Sequence, residues 1–275
     1  MSKLKLGFNQ DISNSLYHSD TEFVSSSGLK LLLKDARTFH RKYVLQEIEN
    51  KSSAAMDFGS YLHCLILEPH LEEEEFAIFT GSRKAGKAWD EFKVNNEDKI
   101  IISSSQKAQA EQLMKNFAAS RIWIGEGENQ KEVPLSSFYA NGKAEESLCV
   151  ILDGIPVKVR FDYRVEGEES GAIYDVKTTS DYASTPEDVE KTCATWGYDV
   201  SAALYVDAVE KETGKPHDFY FTFICKKDGE SYMYKASEQM LSSGREKYKK
   251  ALALLLNARE TGIYFRNVIK EIRSI

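Results

Sequence analysis

The chain switches between two hydrophobic periods. "SSSGLKLLLKDARTFHRKYVL", from Ser25, places Leu29, Leu32, Leu33, Phe39 and Tyr43 at roughly helical spacing behind serines suited to capping, which predicts an N-terminal helix. "DFGSYLHCLILEP" repeats the pattern more strictly: Phe58, Tyr61, Leu62, Leu65 and Ile66 form the apolar stripe of an amphipathic helix that Pro69 stops. His63 lies off that stripe. Gly59 and Ser60 share its side of the helix, where a ligand or another backbone has room to approach.

From Leu148 the period becomes two. "LCVIL" runs into Asp153-Gly154, a strong two-residue hairpin signal, and then into "IPVKVRFDYRV". In that strand Val157, Val159, Phe161 and Tyr163 point one way, and Lys158, Arg160, Asp162 and Arg164 the other. After "EGEESG" comes a third strand, "AIYDVKTT". A helical segment from Pro186 to about Glu212 leads to "FYFTFIC", the turn "KKDG", the strand "SYMYKA", and a last helix from Met240 to Ala258. The order is helix, antiparallel three-strand meander, helix, two strands, with a helical crossover that makes the third and fourth strands parallel. This predicts an α/β fold with a mixed five-stranded sheet flanked by helices.

With 275 residues, 42% of them hydrophobic, the chain can bury a sizeable core as one domain, 1–275, with helical embellishments at both ends. No internal repeat or Pro- or Gly-rich linker divides it, and the short acidic run Glu72 to Glu75 reads as a solvated face. Lys plus Arg number 36 against 43 Asp plus Glu, a net charge of −7, so a polyanion would need a local basic face. Cys64, Cys149, Cys193 and Cys225 have no CxxC spacing, and "MSKLKLGFNQ" lacks the apolar run of a signal peptide; a soluble, cytoplasmic protein without membrane contact is expected. "ALALLL", Ala251 to Leu256, is too short to cross a bilayer.

The candidate chemistry lies in the meander. Asp175 and Lys177, two residues apart, emerge on one face of the third strand, and an antiparallel neighbour can bring Asp162 alongside. Two carboxylates at that range repel unless a hard cation lies between them, and Mg²⁺ (or Mn²⁺) takes carboxylate oxygens, backbone carbonyls and water. Lys177 would then position a water, the logic of metal-dependent phosphodiester hydrolysis. A lone DxK tripeptide recurs by chance and, taken alone, reads more readily as a surface ion pair.

The wider context tips that balance. The residues resemble the PD-(D/E)xK nuclease superfamily, whose restriction-endonuclease-like core has the element order above. "FGSYLHCLILEP", "KAGKAWDEF", "VKVRFDYRV", "YDVKTTSD" and "WGYDVSAALYVDAV", in that order, are similar to the RecE-type exonuclease VIII family of phages and prophages, over about Ser25 to Ala236. The resemblance implies that His63 of the helix, Asp162 and Asp175 bind metal, with the Val176 carbonyl as a further ligand, and that Lys177 is catalytic. Glu132, in "QKEVPLSSF", is the candidate for the additional acid that the family places before the meander. Tyr205 matches the tyrosine of the family's QxxxY motif, but Ser201 stands at its glutamine position, and Phe161 stands where the superfamily name has proline.

The function implied is Mg²⁺-dependent 5′-to-3′ degradation of one strand of linear double-stranded DNA, leaving a 3′ tail for a RecT-like single-strand annealing recombinase. The resemblance also implies a homo-oligomeric ring, a trimer or tetramer, threaded by the duplex. Lys158, Arg160 and Arg164 share the predicted face of Asp162, while Arg83, Lys84 and Lys87 lie near Trp89; with Ser201 and Tyr205 these are the candidate DNA contacts, Trp89 reading slightly better as core. Alternatives are another nuclease of the superfamily (an endonuclease, or a single-strand exonuclease of the Cas4 type, which the unclustered cysteines disfavour) and a catalytically silent DNA-binding assembly protein.

Overall fold

The computed structural model describes residues 4–10, 12–49, 52–82, 84–125 and 129–265. In chain order the elements are β1 (Gly7–Asn9), α1 (Asn14–Ser19), α2 (Ser26–Lys34), α3 (Ala36–Phe39), α4 (Ala54–Leu67) and α5 (Glu72–Glu75). Then follow β2 (Phe76–Phe79), α6 (Lys87–Val94), β3 (Ile100–Ser103), α7 (Ser104–Ala119), β4 (Arg121–Ile124) and β5 (Lys131–Pro134). The second half holds β6 (Lys143–Leu152), β7 (Ile155–Glu166), β8 (Gly171–Thr179), α8 (Pro186–Trp196), α9 (Tyr198–Thr213), β9 (His217–Cys225), β10 (Ser231–Lys235) and α10 (Glu238–Thr261).

The central sheet is mixed and has six strands, in the order β1-β6-β7-β8-β9-β10, with β8 and β9 parallel and the other pairs antiparallel. The meander, the crossover and the last two strands are those the period-two pattern predicts. The sixth strand is β1, only three residues long, which carries too little alternation to read and is recruited by pairing Phe8 with Leu148. Two further two-stranded sheets, β2 with β3 and β4 with β5, lie outside the expectation. At the β6–β7 turn Asp153 and Gly154 both take positive φ, 48° and 78°, the type I′ geometry that their pairing in sequence predicts.

Two predicted helices are split. Asp35 ends α2 and caps α3, accepting from the Arg37 and Thr38 amides, and Gly197 at φ 62° separates α8 from α9. The main core packs α2, α9 and α10 against Val157, Val159, Phe161, Ile173, Phe219, Phe221 and Phe223. A second core joins α4 and α7 to Val176 and Ile224. The sheet is thus covered on both faces, which explains its continuous apolar runs. No helix among the described residues is long and apolar enough to cross a membrane.

Candidate active site

β7 and β8 pair only from Tyr163–Tyr174 to Glu166–Gly171, and there the ladder stops. One residue further along each strand come Asp162 and Asp175. Instead of meeting a strand partner, the Val176 amide donates to Asp162 Oδ2 at 2.7 Å, so a carboxylate wedges the strands apart into a fork. On the other side of β7 the register brackets Glu145 opposite Asp162, between the pairs Ala144–Tyr163 and Glu146–Phe161. Glu145 has φ 49°, a left-handed conformation that costs a non-glycine residue ~1 kcal/mol or more and interrupts the ladder at this point.

This break changes the alternation that the sequence predicts. Phe161 faces the main core, but the Tyr163 ring packs on Tyr139 at 5.4 Å, beside the second core. Arg164 lies against Phe8 and Phe161, at 4.6 and 6.0 Å from their ring centroids, and pairs with Glu146 at 2.7 Å. Arg164 therefore leaves the face of Asp162, where alternation had put it.

His63 comes from α4. Ser53 caps that helix, and Phe58, Tyr61 and Leu62 are buried against the sheet, so the next residue is turned to the rim of the apolar stripe and reaches the fork. Its Nε2 lies 2.9 Å from Asp162 Oδ2 and its Nδ1 3.1 Å from Glu145 Oε1. Burial works against a charged imidazole, but the carboxylates of Asp162 and Glu145 outweigh it and hold the His63 pKa up to about 10. A Cβ built on Gly59 would meet nothing within 4 Å: the room expected there exists, and no backbone fills it.

Lys177 follows from β8, its Nζ 2.5 Å from Asp175 Oδ2 and 3.8 Å from Asp162 Oδ2. Asp175 is only 4% exposed. Burial, with Asp162 adding like charge, pushes its carboxyl up to about 6 despite Lys177. For Asp162 burial acts the same way, but His63 and Lys177 prevail and hold it at about 2. The Lys177 contact lies outside hydrogen-bonding geometry, which leaves Asp175 Oδ2 as a buried oxygen without a directed donor.

These donors fit a divalent cation. His63, Glu145 and Asp162 present ligand atoms within 4.8 Å of one another, and a cation there would take the place of the His63 proton among three carboxylates, beside the Lys177 ammonium and the Arg160 guanidinium 4.0 Å from Glu145. The buried Asp175 Oδ2, ion-paired with Lys177, and the Val176 carbonyl, 3.4 Å from Lys177 Nζ, adjoin them. Glu132 is not in this cluster. It sits exposed on β5, bound to Arg121 at 2.9 Å, and the acid at the fork is Glu145.

The predicted DNA contacts separate into three groups. Lys158 and Arg160 are buried and engaged with the N-terminal segment. Lys158 donates to the Tyr17 and Asp20 carbonyls, and Arg160 to Ser147, Asn14 and the Ile12 carbonyl at 2.8, 2.7 and 2.6 Å. They correct the expectation of a basic face open to DNA, because α1 covers it. Trp89 packs half-buried on Phe79 at 5.0 Å, with Lys84 and Lys93 over its ring; Lys87 is exposed beside Glu91, and Arg83 lies outside the described residues. Tyr205 packs half-buried against the main core, on Phe161 at 5.7 Å, and Ser201 is buried one helical turn before it.

The comparisons bear on the fold and the family. A crystal structure from Eubacterium rectale, of a protein described only as a candidate exonuclease, superposes with TM-score 0.62 at 17% identity, covering 96% of this chain and 97% of that one; at this identity the likeness is one of fold. A second solved structure, SSO0001, aligns over 82% of this chain and 85% of its own at 12% identity, but its TM-score of 0.29 carries no argument. No curated protein matches. The family model that does match covers residues 25–263, from the first residue ahead of α2 to beyond α10, and therefore both strands of the fork, α4 and α9. The chain belongs to the family described as a PDDEXK-like domain of unknown function, DUF3799.

Proposed function

We propose that the chain is a divalent-metal-dependent nuclease, and that it acts as a 5′-to-3′ exonuclease on linear double-stranded DNA. The observation that carries the nuclease reading is the strand fork, where His63, Glu145, Asp162, Asp175 and Lys177 converge around a buried carboxylate oxygen with no directed donor. His63, Glu145, Asp162 and Asp175, with the Val176 carbonyl, would hold Mg²⁺ or Mn²⁺. A bound cation at such a site stabilises charge developing on phosphoryl and leaving oxygens.

The chain's own groups do the rest. Asp162 spans two functions, since it accepts from Val176 and thereby keeps the fork open while presenting its carboxylate to His63. Lys177 stays protonated: burial opposes its charge, but Asp175 and Asp162 outweigh that and raise its pKa. An ammonium of that kind orients a water through its donors and does not act as a base. Its three donors suit it to hold a water oxygen beside a phosphate.

Direction, duplex preference, 3′ tails, a RecT-like recombinase partner and a ring of three or four copies rest on the likeness to RecE-type exonucleases in the motifs around His63, Asp162, Asp175 and Ser201. Digestion of linear against end-blocked and circular duplexes tests exonuclease against endonuclease action. Release of nucleotides from linear ends alone supports the first; cleavage of circles supports the second. A monomeric mass across a range of concentrations contradicts the ring.

A further inference from the structure

Lys30 of α2 reaches across to the start of α9 beside the candidate active site. Its aliphatic stem passes over Gly197, where a Cβ would come within 2.9 Å of Lys30 Cδ. The absent side chain is what gives the lysine its path. The ammonium donates to the Trp196 carbonyl at 3.3 Å and to Ser201 Oγ at 3.1 Å, and it lies 5.7 Å from the Tyr198 ring centroid. Lys177 lies over the same ring at 5.5 Å. Two lysines from different elements therefore flank one aromatic ring.

Neither of Lys30's hydrogen-bond partners carries charge, and among the described residues no carboxylate comes within 4.0 Å of it. The nearest acids are paired with other cations, Asp175 with Lys177 and Asp199 through Oδ2 with Lys247, and Asp199 Oδ1 is buried without a hydrogen-bond partner. A half-buried, directed ammonium next to a second ammonium, with no carboxylate in direct contact, has capacity for an anion. Position 201 is where the QxxxY resemblance expects a glutamine. The Ser201 hydroxyl accepts from Lys30 and donates to Ser26 Oγ at 3.3 Å, which fixes its orientation.

We propose that Lys30, oriented by Ser201 and the Trp196 carbonyl, binds a phosphate group of a nucleic-acid strand at the candidate active site. This rests on the nuclease reading above. The phosphate is either an internal phosphodiester or a terminal 5′-phosphate, and the two are distinguishable.

The test is fluorescence anisotropy with full-length wild type, Lys30→Ala, Lys30→Gln and Lys30→Arg. The probes are linear duplexes carrying a 5′-phosphate or a 5′-hydroxyl, with Ca²⁺ in place of Mg²⁺, over a series of salt concentrations. The Ala and Gln variants are expected to bind ~10-fold more weakly, as the loss of one charge-assisted contact implies. Their slope of log affinity against log salt should fall by about one, and Arg should retain most of both. A loss confined to the phosphorylated duplex identifies the terminal phosphate; an equal loss on both identifies a phosphodiester. Gln keeps the neutral hydrogen bonds, so it separates lost charge from misfolding. Wild-type affinity and slope in folded Ala and Gln variants, with the wild type active on DNA, overturn the Lys30 inference alone. A wild type that neither binds nor cleaves duplex DNA overturns the nuclease reading with it.

Discussion

Glu145 faces Asp162 across the β6–β7 ladder, and the His63 imidazole lies between their carboxylates, 3.1 Å from one and 2.9 Å from the other. Glu145 belongs to the site through this relationship, and Glu132, paired with Arg121 on an exposed hairpin, does not. Glu145→Gln should weaken Mn²⁺ binding, followed by calorimetry, by ~10- to 100-fold, the range seen when a group supporting a metal site is removed. Glu132→Gln should bind like wild type. The opposite result would move the site to the hairpin.

Arg160 and Lys158 make a different prediction from the one their place on a polar strand face suggests. Arg160 is 8% exposed and satisfies three acceptors from β6 and the N-terminal segment. Arg160→Ala leaves those acceptors unpaired and should destabilise the fold by ~2–4 kcal/mol, read as a fall of several degrees in Tm. The salt slope of DNA binding should stay at the wild-type value, because a guanidinium held by protein oxygens contributes no phosphate contact. An unchanged Tm with a reduced slope would restore the DNA-contact role.

Gly244 tests how α9 and α10 hold together. A Cβ there would stand 2.0 Å from the Asp199 carbonyl oxygen, a backbone atom that cannot swing aside. Gly244→Ala should cost ~1–3 kcal/mol by forcing the helices apart, despite alanine's better helix propensity. Equal or greater stability in a denaturant titration would show that the helices adjust freely.

Lys30 carries a pH signature. Burial lowers its pKa to about 8, helped by the like charge of Lys177 and opposed by Asp175 and Asp199. A lowered lysine pKa means that the charge is present below about 8 and lost as pH rises through it. The Tyr198 ring and the neutral oxygens of Trp196 and Ser201 complete its surroundings. Duplex affinity of the wild type should therefore fall as pH rises through about 8, and Lys30→Arg should hold its affinity over the same interval, since guanidinium stays charged. Parallel curves would contradict a phosphate contact by Lys30.

The meander was readable because Asp153-Gly154 fixes the β6–β7 register; spacing put Asp175 and Lys177 on one face of β8, and the family resemblance gave these residues and Asp162 their roles. His63 was readable from its position at the edge of the α4 stripe. Glu145 was not. It stands in β6 ahead of the clear alternation, next to Glu146, and only its left-handed backbone turns one acid to the fork and the other to Arg164. The same irregularity hid the change of face at Arg164. Covering by α1 hid the burial of Lys158 and Arg160, since alternation reports which side of a strand a residue takes and nothing about what packs there. Gly197, read as helix interior, was in fact a left-handed break, and with it the path of Lys30 to Ser201 stayed out of view.

The nuclease reading is best challenged by a time course on linear duplex labelled at the 5′ end of one strand. Wild type and Lys177→Ala are compared in Mg²⁺ and in EDTA. Labelled mononucleotide should appear with wild type in Mg²⁺, disappear with EDTA, and fall by at least ~100-fold in the variant, as expected when a group that positions the nucleophile is removed. Intact substrate with wild type in Mg²⁺, or equal release by Lys177→Ala, would contradict a nuclease acting through this fork.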